Sequence, residues 1–203
     1  MFRLDGKVYR FCIWIYQLAM LNLLFLVCCI PIITIYPAAA ALFGVVREWV
    51  NKKDPALFFT FKRIFRENLK QSFTAGIYIT IVILVLIGDY YILTLLNTSF
   101  NLLILSGVIF VSFFFLVSVI YVFPLMVNSH YSFKQLLSNS FKFGFYKIYL
   151  TILNALFILG WLLVSLCFSF LFVFYFFSIS ALITYWVANV KLKKIQQDQG
   201  ILL

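Results

Sequence analysis

The stretch NLLFLVCCIPIITIYPAAAALFGVV, Asn22–Val46, carries no charge and contains two prolines. The preceding run Phe11–Ile30 has 20 residues, about 30 Å as an α-helix, which is enough to cross the hydrocarbon core of a bilayer. Pro31 and Pro37 disfavour a continuous helix, whereas Thr34 is placed to cap a new helix with Pro37 in its first turn. We therefore predict a spanning helix, a break at Pro31, Thr34 and Pro37, and a second helix that returns.

Charge on both sides of this stretch predicts how often it crosses. Arg10 precedes it and Arg47 follows it, each with further basic residues nearby. Because cytoplasmic loops carry the excess of Lys and Arg, both ends are predicted to be cytoplasmic, so the number of crossings is even. The return leg Ala38–Val50 has 13 residues, about 20 Å, and is predicted as a short returning or re-entrant helix. Its Ala40 and Gly44 are spaced for close helix packing.

The composition of all 203 residues is that of a membrane protein. Hydrophobic residues make up 65% and charged residues only 11%, less than half the roughly one quarter typical of soluble chains. The net charge of +10 comes from basic residues that lie between apolar blocks, which fits the positive-inside rule and argues against nucleic acid as a partner. Membrane lipids are the expected surroundings.

Three further apolar blocks complete the predicted topology: Phe73–Asn97, Leu102–Ser129 and Ile148–Val190. The uncharged linker Asn97–Asn101 is predicted to lie outside, so its flanking blocks form one hairpin. The last block is long enough for a second hairpin, with its turn near Cys167–Val173. We expect an all-α, polytopic membrane bundle forming one domain over residues 1–203. It would have five full spanning helices, the short returning helix, amphipathic cytoplasmic helices and both termini in the cytoplasm.

The segment after the first hairpin has the pattern of an amphipathic helix. Asp54 is a candidate N-cap and Pro55 fits the first helical position. Apolar side chains then recur at helical spacing, and basic side chains occupy other faces. The apolar positions are Phe58, Phe61, Phe65 and Leu69, and the basic ones are Lys62, Arg63, Arg66 and Lys70. Two alternatives are open: the apolar face lies in the cytoplasmic leaflet with the basic residues among headgroups, or it packs on the protein's own bundle.

A weak internal repeat relates two parts of the chain. FFTFKRIFRENLKQSF from Phe58 aligns with HYSFKQLLSNSFKFGF from His130 with four identities in 16 positions. The units would be residues 58–128 and 130–190, each an amphipathic helix followed by a hairpin. Duplication and shared membrane composition are both open as explanations.

The residues that could carry chemistry are few. The single histidine is His130, and no catalytic, metal or nucleotide-binding motif is present, so we expect no enzyme activity, no catalytic residue, no metal and no cofactor. Asp89 is the one ionisable residue inside a predicted span, where it marks an ion or solute path, faces water, or hydrogen-bonds a tyrosine of the run Asp89-Tyr90-Tyr91 near the aromatic belt. Asn22 and Asn154 either tie helices together or contact a solute.

The run NLLF at 22–25, PIITIYPAAAAL at 31–42 and FFTFKRIFRENLKQS after it resemble the YesL-like family of bacterial integral membrane proteins, a domain of unknown function (number 624). The family pattern has glycine where this chain has Tyr36. The resemblance implies a small polytopic protein of the bacterial cell membrane, often encoded beside ABC-type carbohydrate uptake systems, without an established enzymatic activity.

Three functional hypotheses follow. The first is a non-enzymatic accessory or regulatory protein that binds a carbohydrate transporter permease. The second is a small solute or ion transporter whose path uses Asp89, Asn22 and Asn154. The third is a lipid-binding scaffold that holds anionic lipids through Lys62, Arg63 and Arg66.

Overall fold

The computed structural model describes residues 7–51, 56–95, 101–128 and 131–198. These residues form eight α-helices and one short 3-10 helix, and no strand occurs among them, which confirms the all-α prediction. The helices are α1 Lys7–Cys29, α2 Ile35–Val50, α3 Leu57–Leu95, α4 Asn101–Asn128, α5 Phe133–Phe145, α6 Ile148–Cys167, α7 Ser169–Phe174 and α8 Phe176–Asp198. The predicted cap Asp54 with Pro55, most of the linker Asn97–Asn101 and His130 lie outside the described residues.

Five helical segments within the described ranges are long and apolar enough to cross a membrane: Tyr9–Cys29, Ile32–Val50, Leu57–Leu93, Ile104–Asn128 and Ile148–Cys167. The return leg is therefore longer than expected, because the 3-10 helix Ile32–Thr34 joins it and α2 begins three residues before Ala38. The last leg, α8, is not among the five. Its C-terminal half carries lysines that dilute its apolar character.

The break between α1 and α2 is built around Thr34. This residue occupies the N-cap position of α2, but its predicted role as a capping acceptor is wrong. Its hydroxyl instead donates to the carbonyl oxygens of Cys28 at 2.5 Å and Pro31 at 2.6 Å. The physical reason lies in α2 itself, since Pro37, three residues after the cap, has no N–H to offer.

Aromatic and glycine contacts set the register of the first three helices. Trp14 of α1 lies beside Trp49 of α2, with ring centroids 6.4 Å apart, so α1 and α2 form an antiparallel hairpin. On α2, a Cβ added to Gly44 would lie 2.6 Å from Ile64 of α3, which confirms the close packing predicted there. The other end of the α2–α3 contact joins Tyr36 to Gly76, so these two helices are also antiparallel.

Helix α3 runs without interruption over 39 residues, about 58 Å. The predicted amphipathic segment Phe58–Leu69 is therefore helical and continues directly into the apolar block, because no proline or glycine breaks the chain between them. Phe61 is buried in the core and Phe65 packs against it, whereas Phe58 and Leu69 are exposed. The apolar face thus packs partly on the protein's own bundle.

From α5 onward, the helices are separated by more breaks than in the first half of the chain. Helix α5 starts with the Ser132 N–H donating to the Gln135 side chain at 3.1 Å, and it packs along α4, where Gly144 lies against Val117. Lys147, at φ 48°, turns the chain into α6. The turn predicted near Cys167–Val173 begins at the expected place but extends further, since the short helix α7 lies between breaks at Phe168 and Tyr175.

Candidate functional site: a polar seam along helix α8

Buried polar side chains follow α8 from its first turn into its C-terminal half. Thr184 and Lys191 are seven residues apart, a spacing that puts them on the same side of the helix, and Ser178 lies six residues before Thr184, so the three residues extend over about 20 Å. They meet Asn22 from α1 and Thr151 and Asn154 from α6. All six side chains are at most 3% exposed. We call this set, Asn22, Thr151, Asn154, Ser178, Thr184 and Lys191, the polar seam.

Asn22 joins α1 to both sides of the break between α7 and α8. Its amide nitrogen donates to the Val173 carbonyl at 2.7 Å and to the Phe172 carbonyl at 3.4 Å, at the end of α7. Its amide oxygen accepts from the N–H groups of Phe177 at 2.8 Å and Ser178 at 3.0 Å, at the start of α8. These backbone groups have no partner within their own helices, so one side chain satisfies both helix ends.

Asn154 and Thr184 form the middle of the seam. The Asn154 amide nitrogen and oxygen lie 3.3 and 3.4 Å from the Thr184 hydroxyl oxygen. Of the two roles predicted for intramembrane asparagines, the geometry of both Asn22 and Asn154 is that of residues that tie helices together.

Lys191 closes the seam and is fully buried. Its ammonium group donates to the Thr151 hydroxyl at 2.7 Å and to the carbonyl oxygens of Phe143 at 3.1 Å and Gly144 at 3.4 Å. It also lies over the ring of Tyr121, 4.4 Å from the centroid. The two carbonyls belong to the last turn of α5, where the helix dipole favours a cation.

Burial changes the acidity of this lysine, which directly follows the apolar block Ile148–Val190. Loss of water lowers the pKa of the Lys191 ammonium from 10.5 to about 8. In the sequence, Lys191 stands with Lys193 and Lys194 in the basic segment that follows the last apolar block. The signal that identifies it is the spacing of Thr184 and Lys191 on α8 and of Thr151 and Asn154 on α6, which predicts facing polar stripes.

A second polar group lies where α2, α4 and α8 meet. Arg47 donates to the Val127 carbonyl near the end of α4 and pairs with its neighbour Glu48 at 3.2 Å. The Tyr185 hydroxyl donates to the Asn128 side chain at 2.7 Å. These contacts hold the end of α4 against α2 and α8, beside the basic segments that predicted a cytoplasmic surface.

Asp89 lies apart from the seam. It is exposed on α3, nine residues beyond Thr80, which contacts Tyr36 of α2. The structure therefore brings Asn22 and Asn154 together along α8 but leaves the third predicted polar residue elsewhere. Within the described ranges, no three His, Cys, Asp or Glu side chains come close enough to hold a metal ion.

Several open cavities flank the described part of the bundle, and two of them are relevant to function. One, of about 460 Å³, adjoins the Lys191 end of the seam and is lined by Leu125, Tyr131, Asn139, Lys142, Phe143, Tyr146, Leu192 and Ile195. The other, of about 450 Å³, is an almost wholly apolar groove between α3 and α4, lined by Ile83, Leu86, Ile87, Tyr90, Ser112, Phe115, Leu116 and Val119. On the opposite half of α3, the basic residues Lys62, Arg63, Arg66 and Lys70 are exposed.

Comparison with known proteins gives relatives without a described activity. Residues 18–90 match the family model "Protein of unknown function, DUF624". The chain is 29% identical over 150 residues to "Uncharacterized protein YesL" of Bacillus subtilis (strain 168), covering 72% of this chain and 70% of the relative. It is 33% identical over 148 residues to "Uncharacterized protein YteU" of the same organism, covering 68% of this chain and 62%, less than two thirds, of the relative. No solved structure matches.

Proposed function

Because the chain belongs to the YesL-like family of unknown function (DUF624), we propose that it is a non-enzymatic accessory protein in the membrane that binds a transporter permease through α3 and α4. The carbohydrate part of this proposal rests on the resemblance described above, which implies a setting beside ABC-type carbohydrate uptake systems. The part concerning the binding surface rests on the structure.

The observation that carries the proposal is an apolar two-helix projection. Residues 81–92 of α3 and 104–116 of α4 extend beyond the contact of α3 with α2, and we call them the outer arm. Its exposed apolar side chains include Leu84, Tyr91, Phe110 and Leu116, each about 60% exposed. A Cβ added at Gly88 or Gly107 would meet no atom within 4 Å. The arm therefore offers a long face and a groove against which the apolar helix of another membrane protein fits.

The basic half of α3 indicates how the protein is oriented in the membrane. Lys62, Arg63, Arg66 and Lys70 are exposed at the end of α3 opposite the outer arm. The positive-inside rule puts this end in the cytoplasm of a bacterial cell, and with it the start of α1 and the end of α8. In this orientation the basic surface is available to a cytoplasmic component of the same transport system or to anionic lipid headgroups.

Site-specific photo-crosslinking in the native membrane tests the proposal. A photoreactive phenylalanine analogue replaces Leu84 or Leu116 on the outer arm, and Leu153 on α6 serves as the matched control because all three leucines are 62 or 63% exposed. We expect crosslinks to the permease subunit of a carbohydrate importer from the two arm positions only. Equal crosslinking from Leu153, or no permease at any position, would contradict the proposal.

The polar seam favours one second candidate, a transporter in its own right. A transporter needs a polar path, and the seam provides about 20 Å of buried polar groups along α8. This candidate predicts solute flux in proteoliposomes that is lost in Thr184→Val and unaffected by Asp89→Asn, because Asp89 is not in the seam. The accessory function predicts no flux from the purified wild-type protein.

A further inference from the structure

The tip of the α1–α2 hairpin is apolar and uncovered. Ile30 and Ile32 are each 79% exposed and Ile33 is 68% exposed, with Pro31 between them. No charged residue lies between Phe11 and Val46. If the turn reached the aqueous outer surface, these isoleucines would be exposed to water. Apolar surface that stays in water contributes nothing to stability.

Several backbone groups at the tip are paired from within the hairpin. The Thr34 hydroxyl donates to the Cys28 and Pro31 carbonyls, and the Thr34 N–H donates to the Pro31 carbonyl at 2.9 Å. The Ile30 N–H donates to the Val27 carbonyl at 3.3 Å. Pro31 and Pro37 have no N–H. Such internal pairing is what a break requires in hydrocarbon, because lipid cannot hydrogen-bond a free carbonyl.

The register with α3 gives the depth of the tip. Tyr36 packs on Gly76, and its hydroxyl lies 2.6 Å from the Thr80 hydroxyl. From Lys70, the last basic residue of α3, to Thr80 is about 15 Å of helix, half of a hydrocarbon core of about 30 Å. Beyond Thr80, α3 continues to Leu95, about 22 Å further. The hairpin thus ends beside the middle of α3.

The base of the hairpin carries the residues expected at a membrane surface. Trp14, Trp49 and Trp186 line one pocket together with Lys193. Tryptophan is enriched at headgroup level, and lysine marks the cytoplasmic side. Helix α2 covers about 21 Å from Ile35 to Trp49 and the 3-10 helix Ile32–Thr34 adds about 6 Å, which puts the tip about 27 Å into a membrane of 40–45 Å including headgroups.

We propose that the α1–α2 hairpin is re-entrant: both helices meet the cytoplasmic surface, and the Ile30–Ile33 tip contacts lipid acyl chains near the middle of the bilayer. The length of α1 permits a crossing, but the contacts of Tyr36 and Gly44 with α3 set a smaller depth. The partner of the tip is lipid because every exposed side chain on it is apolar and every hydrogen bond at the break is internal.

Fluorescence quenching by spin-labelled lipids measures this depth. The test uses full-length protein in liposomes, with Cys12, Cys28, Cys29 and Cys167 replaced by alanine and a single fluorophore-labelled cysteine. The test positions are Ile32→Cys and Ile33→Cys. Ile81→Cys, beside Thr80, is the mid-membrane control, and Tyr90→Cys is the control toward the far end of α3; both side chains are exposed, at 55 and 59%.

We expect Ile32→Cys and Ile33→Cys to match Ile81→Cys, with stronger quenching by a label deep in the acyl chain than by one near the headgroup. Neither position should react with a membrane-impermeant maleimide from either side. Quenching that matches Tyr90→Cys, or maleimide labelling from the outer side, would show a full crossing and overturn the proposal. Labelling from the cytoplasmic side would overturn it as well, because the tip would then lie outside the bilayer.

Discussion

The ring of Tyr36 on α2 lies directly on Gly76 of α3, in the space that a Cβ on the glycine would occupy. Its hydroxyl reaches the Thr80 hydroxyl at 2.6 Å, and Thr80 in turn donates to the Gly76 carbonyl at 2.9 Å. The small residue Gly76 is on α3 and the large residue Tyr36 is on α2, and their contact fixes the register of the hairpin against α3.

Gly76→Ala is expected to destabilise the protein by about 1–3 kcal/mol, since the added methyl group overlaps the Tyr36 ring. Gly88→Ala is the matched control in the same helix. Its methyl group meets no atom within 4 Å, so the better helix propensity of alanine should leave stability unchanged or raise it by up to about 1 kcal/mol. Thermal unfolding in detergent compares the two. Equal effects at both positions would mean that the Tyr36–Gly76 contact does not set the packing.

Asn22→Leu removes the hydrogen bonds to α7 and α8 while keeping the side-chain size. Buried backbone groups left without a partner cost about 1–3 kcal/mol each, so we expect a loss of more than about 2 kcal/mol. Asn154→Leu breaks only a side-chain pair at 3.3–3.4 Å and should cost about 0.6 kcal/mol. Unfolding titrations in mixed micelles measure the difference. A larger loss for Asn154→Leu would reverse the assigned roles.

Lys191→Met is expected to loosen the joint between α5 and α6. The variant keeps the length of the side chain but leaves the Phe143 carbonyl and the Thr151 hydroxyl without the ammonium group. Limited proteolysis should then cut near Tyr146 and Lys147 faster than in the wild type. Lys193→Met, at an exposed position of the same helix, is the control and should leave the rate unchanged.

Burial of Lys191 also predicts a pH dependence. Its pKa is about 8 in the folded protein and 10.5 ordinarily, so between these values the unfolded chain binds more protons than the folded one. Stability from this group therefore rises as the pH increases from about 8 toward 10.5 and is flat below. As the pH rises through this range, the melting temperature of the wild type should increase relative to that of Lys191→Met. Parallel curves for the two proteins would contradict the assignment.

The exposed basic residues of α3 should retain anionic lipid. Replacing Lys62, Arg63 and Arg66 with glutamine removes about 1 kcal/mol of attraction per residue near a negatively charged leaflet. We expect less phosphatidylglycerol to copurify with the triple variant, and the difference should shrink at high salt. Lys193→Gln, at another exposed basic site, provides the control for a single lost charge. Unchanged lipid content in the triple variant would argue against the lipid-binding scaffold.

Much of this fold was predictable from local signals. Apolar length and the position of basic residues identified the helical membrane class, and the two prolines located the break that follows Cys29. The small residue at Gly44 indicated a close helix contact, which Ile64 provides. The seam was predictable in part, because Asn22 and Asn154 are polar residues in apolar blocks and therefore attract notice in the sequence.

Contacts between residues far apart in the chain decided the rest. Lys191 has the sequence context of an interfacial lysine, and only the approach of α5 and α6 removes it from water and gives it acceptors. Thr34 donates to the Cys28 carbonyl of α1 because Pro37 has no N–H in the position that a cap would serve. Residue type and spacing determine helix length and polarity, which are local properties. The depth of a turn and the partner of a buried charge depend on which helices pack together, and only the tertiary structure decides that.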